Sequence, residues 1–158
     1  TDFPRLVQDI DWPEFRYVVT DFRLNKALDQ LKALSKEQKE KVEFLCNECC
    51  WFGCQERKRC YEAVSRQQLG EAGPVHHCQA PGAGSGYRFS VAMENPGFIS
   101  IEDIQSIYVP MGFSHFKIEG RSLGSALILE FLLYYMTKPE YQLRVREAIY
   151  LDNTLDLF

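Results

Sequence analysis

The sequence predicts an α/β protein of four βα units, resembling half of a (β/α)8 barrel. Three observations predict it. Short runs rich in aromatic and β-branched residues alternate with runs of helical length, the pattern of parallel βαβ units. The 158 residues suit a single domain spanning 1–158. The residues able to do chemistry also fall at the ends of the strand-like runs, where barrels of this type carry their sites. Asp21 and Arg23 follow the first run, Asn47, Glu48 and the cysteines follow the second, and Glu119 and Arg121 follow the fourth.

Each element has a local reason. Phe15–Thr20 (FRYVVT) reads as the first strand. Leu28, Leu31 and Leu34 share one face of a helix from about Lys26 to Lys41, within which Ser35 can cap a second short helix from Lys36. Val42–Cys46 is the second strand, and Gln55–Arg66 a helix with its charges toward solvent. Residues 70–86 carry Gly73-Pro74, Pro81-Gly82, Gly84 and Gly86 and form an irregular excursion, after which Tyr87–Ala92 resumes as the third strand. Ser100-Ile-Glu-Asp is a capping-box pattern that opens a helix over Ile101–Tyr108. Phe113–Ile118 is the fourth strand, and the longest helix runs from about Ser122 to Thr137, where Pro139 discourages its continuation.

Cysteine distribution is the strongest chemical signal. Five of the six cysteines lie within Cys46–Cys60 and the sixth is Cys78. Soft thiolates at this density suit an iron–sulfur cluster or zinc, although the spacing names no metal. Buried free thiols rank second. Disulfides rank third, because no signal peptide is visible and an apolar content of 46% is enough for an ordinary core. Cys46 reads as a core thiol within a strand, and Cys49 as a residue facing away from Cys50.

Composition narrows the function classes. A formal charge of −4 and a pI near 5.4 argue against a broad footprint on nucleic acid. The triplet Arg57-Lys58-Arg59 reads as a solvated helix face. No apolar run reaches the ~18 residues of a membrane span, and the chain is expected in the cytoplasm.

Phe116-Lys-Ile-Glu-Gly-Arg121, placed after Gly112-Phe-Ser-His and before a long helix, resembles the collagenase-like peptidase family. So do Phe15–Arg23, the strand and cysteines of Val42–Cys54, and Ser100-Ile-Glu-Asp-Ile. The resemblance covers most of Phe15–Tyr141 but only the family's C-terminal half. It implies a barrel with a four-cysteine iron–sulfur cluster, as in members that take part in oxygen-independent hydroxylation of RNA bases or a ubiquinone precursor. This chain has Asn47-Glu48 where the family has a His-Gly pair, and it has Gln105 near the place of a family cysteine. Cys50, Cys54 and Cys78 then remain as ligands of a [4Fe-4S] cluster, with zinc as the alternative occupant. Cys60 or Cys46 is the candidate fourth ligand.

Under this resemblance Arg23 and Arg121 become contacts for an anionic small molecule or RNA base, and Glu48 and Glu119 become proton-transfer groups. Structural ion pairs at the strand ends are the plainer reading of the same residues. The implied protein is a cluster-dependent enzyme or enzyme subunit, completed by an N-terminal half, a second copy or a partner subunit. The reading from another class is a metal-stapled interaction module without turnover.

Overall fold

The computed structural model describes residues 12–71, 73, 77–83, 89–120 and 124–155. Its centre is a parallel three-stranded sheet in sequential order, β1 (Val18–Val19), β2 (Val42–Leu45) and β3 (His115–Lys117). Val18 pairs with Val42, and Glu43, Phe44 and Leu45 pair with His115, Phe116 and Lys117. The α/β class and the parallel strands agree with the sequence. The strands are shorter than their apolar runs suggested.

One predicted strand is a helix. Over the described part of Tyr87–Ala92 the chain forms α4 (Phe89–Met93), while Tyr87 and Arg88 lie outside the described residues. Phe89 and Ala92, three residues apart, share a helical face. That face packs on Phe131, with the Phe89 and Phe131 ring centroids 4.7 Å apart. Tertiary packing overrides the strand-like composition here, and among the described residues three parallel strands stand where four βα units were expected.

The predicted first helix is split, as Ser35 suggested. It forms α1 (Leu28–Lys32) and α2 (Lys36–Lys39), and Ser35 makes a full capping box with Gln38. α3 (Arg57–Gln68) matches the charged run after the cysteines. Ser100 caps α5 (Ile101–Asp103) through a second capping box, to Asp103, and the helix continues as a π-helical turn over Ile104–Tyr108. That wide turn holds Tyr108 inward, where its hydroxyl donates to the Asn25 carbonyl at 2.5 Å.

α6 (Ser125–Met136) ends where Thr137 becomes extended. Pro139 starts α7 (Pro139–Leu155), the longer of the two. Proline is well placed at a first helical position, because its missing N–H would be unpaired there in any case. The helix expected from about Ser122 to Thr137 stops before Pro139 as predicted, but it is not the longest, since α7 exceeds it.

The two faces of the sheet differ. Val42 and Phe44 are fully buried, and with Leu31, Ile99, Tyr108 and Phe113 they form the main core. Phe44 is its hub, with Tyr108 at 4.9 Å and Phe113 at 5.0 Å between ring centroids. The opposite face carries Tyr17 and Val19, which are 42% and 47% exposed, beside the Glu43–Lys117 pair and His115. His115 packs edge-on against Tyr17. A smaller core of Ala92, Phe98 and Phe131 joins α4 to α6. Among the described residues no helix is long and apolar enough to cross a membrane.

Candidate metal centre

The loop after β2 is fastened to the sheet by backbone and amide bonds. The Cys46 N–H donates to the Lys117 carbonyl at 3.0 Å, and the Ile99 N–H donates to the Cys46 carbonyl at 3.0 Å. Asn47 is fully buried. It accepts from the Glu119 N–H at 2.7 Å and donates to the Glu119 carbonyl at 3.0 Å. This reciprocal clamp ties the end of β2 to the end of β3. Gly120, directly after it, has φ +109°, a conformation that glycine adopts without steric cost.

Glu48 organises the next turn. One carboxylate oxygen accepts from the N–H groups of Cys49 and Cys50, at 3.0 and 2.9 Å, and the other accepts from Arg57 at 2.8 Å. Arg57 also donates to the Tyr61 hydroxyl at 3.1 Å. Its guanidinium lies between the rings of Phe22 and Tyr61, 4.9 and 4.8 Å from their centroids. Asn95 holds the Cys50 carbonyl at 2.9 Å, and Arg23 reaches the Cys54 carbonyl at 3.3 Å.

Four thiols share one cavity. Cys50, Cys54, Cys60 and Cys78 all line a space of about 180 Å³, together with Trp51, Arg57 and Tyr61. α3 explains three of these neighbours, because Arg57, Cys60 and Tyr61 stand at i, i+3 and i+4 and so share a face. Cys46 is elsewhere, buried in the main core, where desolvation pushes its thiol up to about 12. Of the two candidates for a fourth ligand, only Cys60 stands with the other three. The basic triplet is corrected in part. Lys58 and Arg59 are solvated, but Arg57 turns inward with a side chain only 14% exposed.

Glu48 and Arg23 contact the cysteine loop through the bonds given above, and Glu119 stands next to Glu48. Arg23 is held by Asp21 in a bidentate pair, with Nε and an Nη each at 2.8 Å from a carboxylate oxygen. Burial alone would raise the Asp21 pKa, but the hydrogen bonds and charge of Arg23 outweigh it and hold it low. Glu119 stands beside Glu48, and burial, followed by the charge and hydrogen bonding of Glu48, pushes its pKa up to about 7. Arg121 and His76 lie outside the described residues, while His77 is exposed.

Asn95 and Tyr61 are the residues that sequence reasoning missed, and Arg57 is the one it placed in solvent. The i, i+3, i+4 spacing of Arg57, Cys60 and Tyr61 was the available signal. The bond from Asn95 to the Cys50 carbonyl and the clamp of Asn47 on Glu119 had none, since those partners are backbone groups 45 and 72 residues away.

A pH dependence follows from Glu119. Its folded-state pKa exceeds the ordinary 4.5, so its proton favours folding fully below about pH 4.5, and that stability is lost as pH rises through about 7. Glu119→Gln is expected to flatten this fall. Urea denaturation of both proteins at pH 5 and pH 8 checks it. An equal fall in the two would remove Glu119 as the cause.

Comparison with protein-family models, curated proteins and solved structures finds no match. Chemistry therefore has to carry the assignment. Among the described residues no three His, Cys, Asp or Glu side chains converge on a single metal ion. Tetrahedral zinc would need its sulfurs at about 2.3 Å from one point. A polynuclear cluster spaces its thiolates more widely around a core of iron and sulfide. Cys50, Cys54, Cys60 and Cys78 offer four soft donors, the donor type that zinc and iron–sulfur groups take.

Proposed function

We infer that this chain is an iron–sulfur protein, an enzyme or enzyme subunit of the hydroxylase type that its sequence resembles. One observation carries the reading: Cys50, Cys54, Cys60 and Cys78 line the same cavity although 28 positions separate the first from the last. A [4Fe-4S] cluster held there supplies one-electron or Lewis-acid chemistry. Burial pushes the Cys50 thiol up to about 11, against the opposing pull of Arg57. Ligation therefore has to release protons, and loading is expected to weaken in acid.

The surrounding residues divide the remaining tasks. Glu48 shapes the ligand loop by accepting from two of its N–H groups and from Arg57. Glu119, whose carboxyl holds its proton up to about pH 7, is the proton-transfer candidate. Arg23 and Arg121 are the candidate contacts for an anionic small molecule or an RNA base. Arg23 is already paired with Asp21, so an anion would compete for it. Two features support the half-barrel reading: the sequential parallel order of the strands, and the open sheet face bearing Tyr17 and Val19, which an N-terminal half, a second copy or a partner subunit would cover.

Anaerobic purification followed by iron, sulfide and zinc assays tests the proposal. Stoichiometric iron and sulfide are expected. Cys50→Ser, Cys54→Ser, Cys60→Ser and Cys78→Ser should each reduce loading, and Cys46→Ser should leave it intact. Stoichiometric zinc without iron would end the cluster reading. The second reading, a metal-stapled interaction module, draws on the internal pairing of Asp21 with Arg23 and of Glu48 with Arg57. On that reading Glu119→Gln changes stability alone, whereas an enzyme loses rate with its metal content unchanged.

A further inference from the structure

We propose that Arg57 is a positioning residue that sets the charge balance, and so the reduction potential, of the centre through the Cys50 sulfur. The inference rests on the cluster reading and adds to it a role for a residue that is not itself a ligand. The geometry is specific. The Arg57 guanidinium is packed between Phe22 and Tyr61, and its Nη2 is committed to Glu48 at 2.8 Å and to Tyr61 at 3.1 Å. Its Nη1 is buried with no hydrogen-bond partner.

A buried cationic donor without an acceptor is costly, and native structures rarely keep one without a use. This one belongs to a residue on the wall shared by the four thiols, against the Cys50 side chain. Four thiolates around an iron–sulfide core make an anionic group. A fixed N–H directed at one of those sulfurs accounts for the orphaned donor. Hydrogen bonds to ligand sulfurs and nearby charge are established determinants of such potentials.

The expected sign follows from charge. Reduction adds one electron to a group that is already negative, and the Arg57 cation favours the reduced form. Glu48 offsets part of that cation, so the pair should act in opposite directions.

The experiment is an anaerobic redox titration of the cluster-loaded chain with dithionite and mediators, followed by EPR, for wild type, Arg57→Met, Arg57→Lys and Glu48→Gln. Arg57→Met is expected to lower the equilibrium constant for one-electron reduction at least tenfold, about 59 mV. Arg57→Lys should fall between it and wild type, because it keeps the charge and loses the planar fork. Glu48→Gln should shift the potential upward. It also provides the decisive reading if Arg57→Met fails to fold. Loaded variants with wild-type potentials would overturn the role of Arg57 and leave the cluster reading intact. Wild-type protein without iron or sulfide would instead overturn the cluster reading, and this inference with it.

Discussion

Glu48→Ala is expected to destabilise the protein by about 3 kcal/mol, the scale for breaking a buried ion pair and stranding its partners. The carboxylate is 6% exposed and its Arg57 partner 14%. Removing it leaves a guanidinium held between Phe22 and Tyr61 without its counter-charge. It also strips the acceptor from the N–H groups of Cys49 and Cys50. For a domain of this size a loss of this magnitude corresponds to roughly 10 °C in Tm. Glu48→Gln keeps an acceptor oxygen and should lose less. Urea titration of both variants measures the difference. A change in Glu48→Ala below about 1 kcal/mol would mean that the loop is held by Asn47 and Asn95 alone, since 1 kcal/mol is the usual scale of one hydrogen bond.

Gly97→Ala is the second large effect, expected at about 3 kcal/mol, the upper range for overpacking. A Cβ at Gly97 would lie 2.5 Å from the Phe22 carbonyl oxygen and 2.9 Å from its ring. Neither can move cheaply. Phe22 is fully buried, and the carbonyls of Gly97 and Leu45 both accept from the buried Asn25 amide at 2.7 Å. The disturbance should also reach the cavity, because Phe22 supports Arg57 and packs edge-on against Phe52 in the cysteine loop. Thermal denaturation together with metal content checks both consequences. A variant with wild-type Tm would show that the Phe22 turn relaxes freely.

These two predictions lie on opposite sides of what could be read from the chain. The alternation of strand and helix was legible for β1, β2 and β3, because their apolar runs are short, β-branched and followed by helical spacing. Both capping boxes were legible too, since a serine side chain and a residue three positions on form a local motif. The signal for a shared thiol site lay in cysteine density alone. At the third predicted strand the local pattern was misleading: Phe89 and Ala92 have their partner, Phe131, on a helix about forty residues away.

By itself the sequence determined the class of the fold, the order of its parallel strands' candidate segments and the thiol chemistry of the site, because each depends on neighbours along the chain. Only the tertiary structure decided which thiols share a wall. It set Cys60 beside Cys50, Cys54 and Cys78, left Cys46 in the core, and turned Arg57 away from its solvated neighbours. Asn47 became a clamp between β2 and β3 by joining its side-chain amide to the backbone of Glu119, 72 residues away. The physical reason is common to these cases: burial and hydrogen bonding are settled by partners that folding brings together, and no local spacing encodes them.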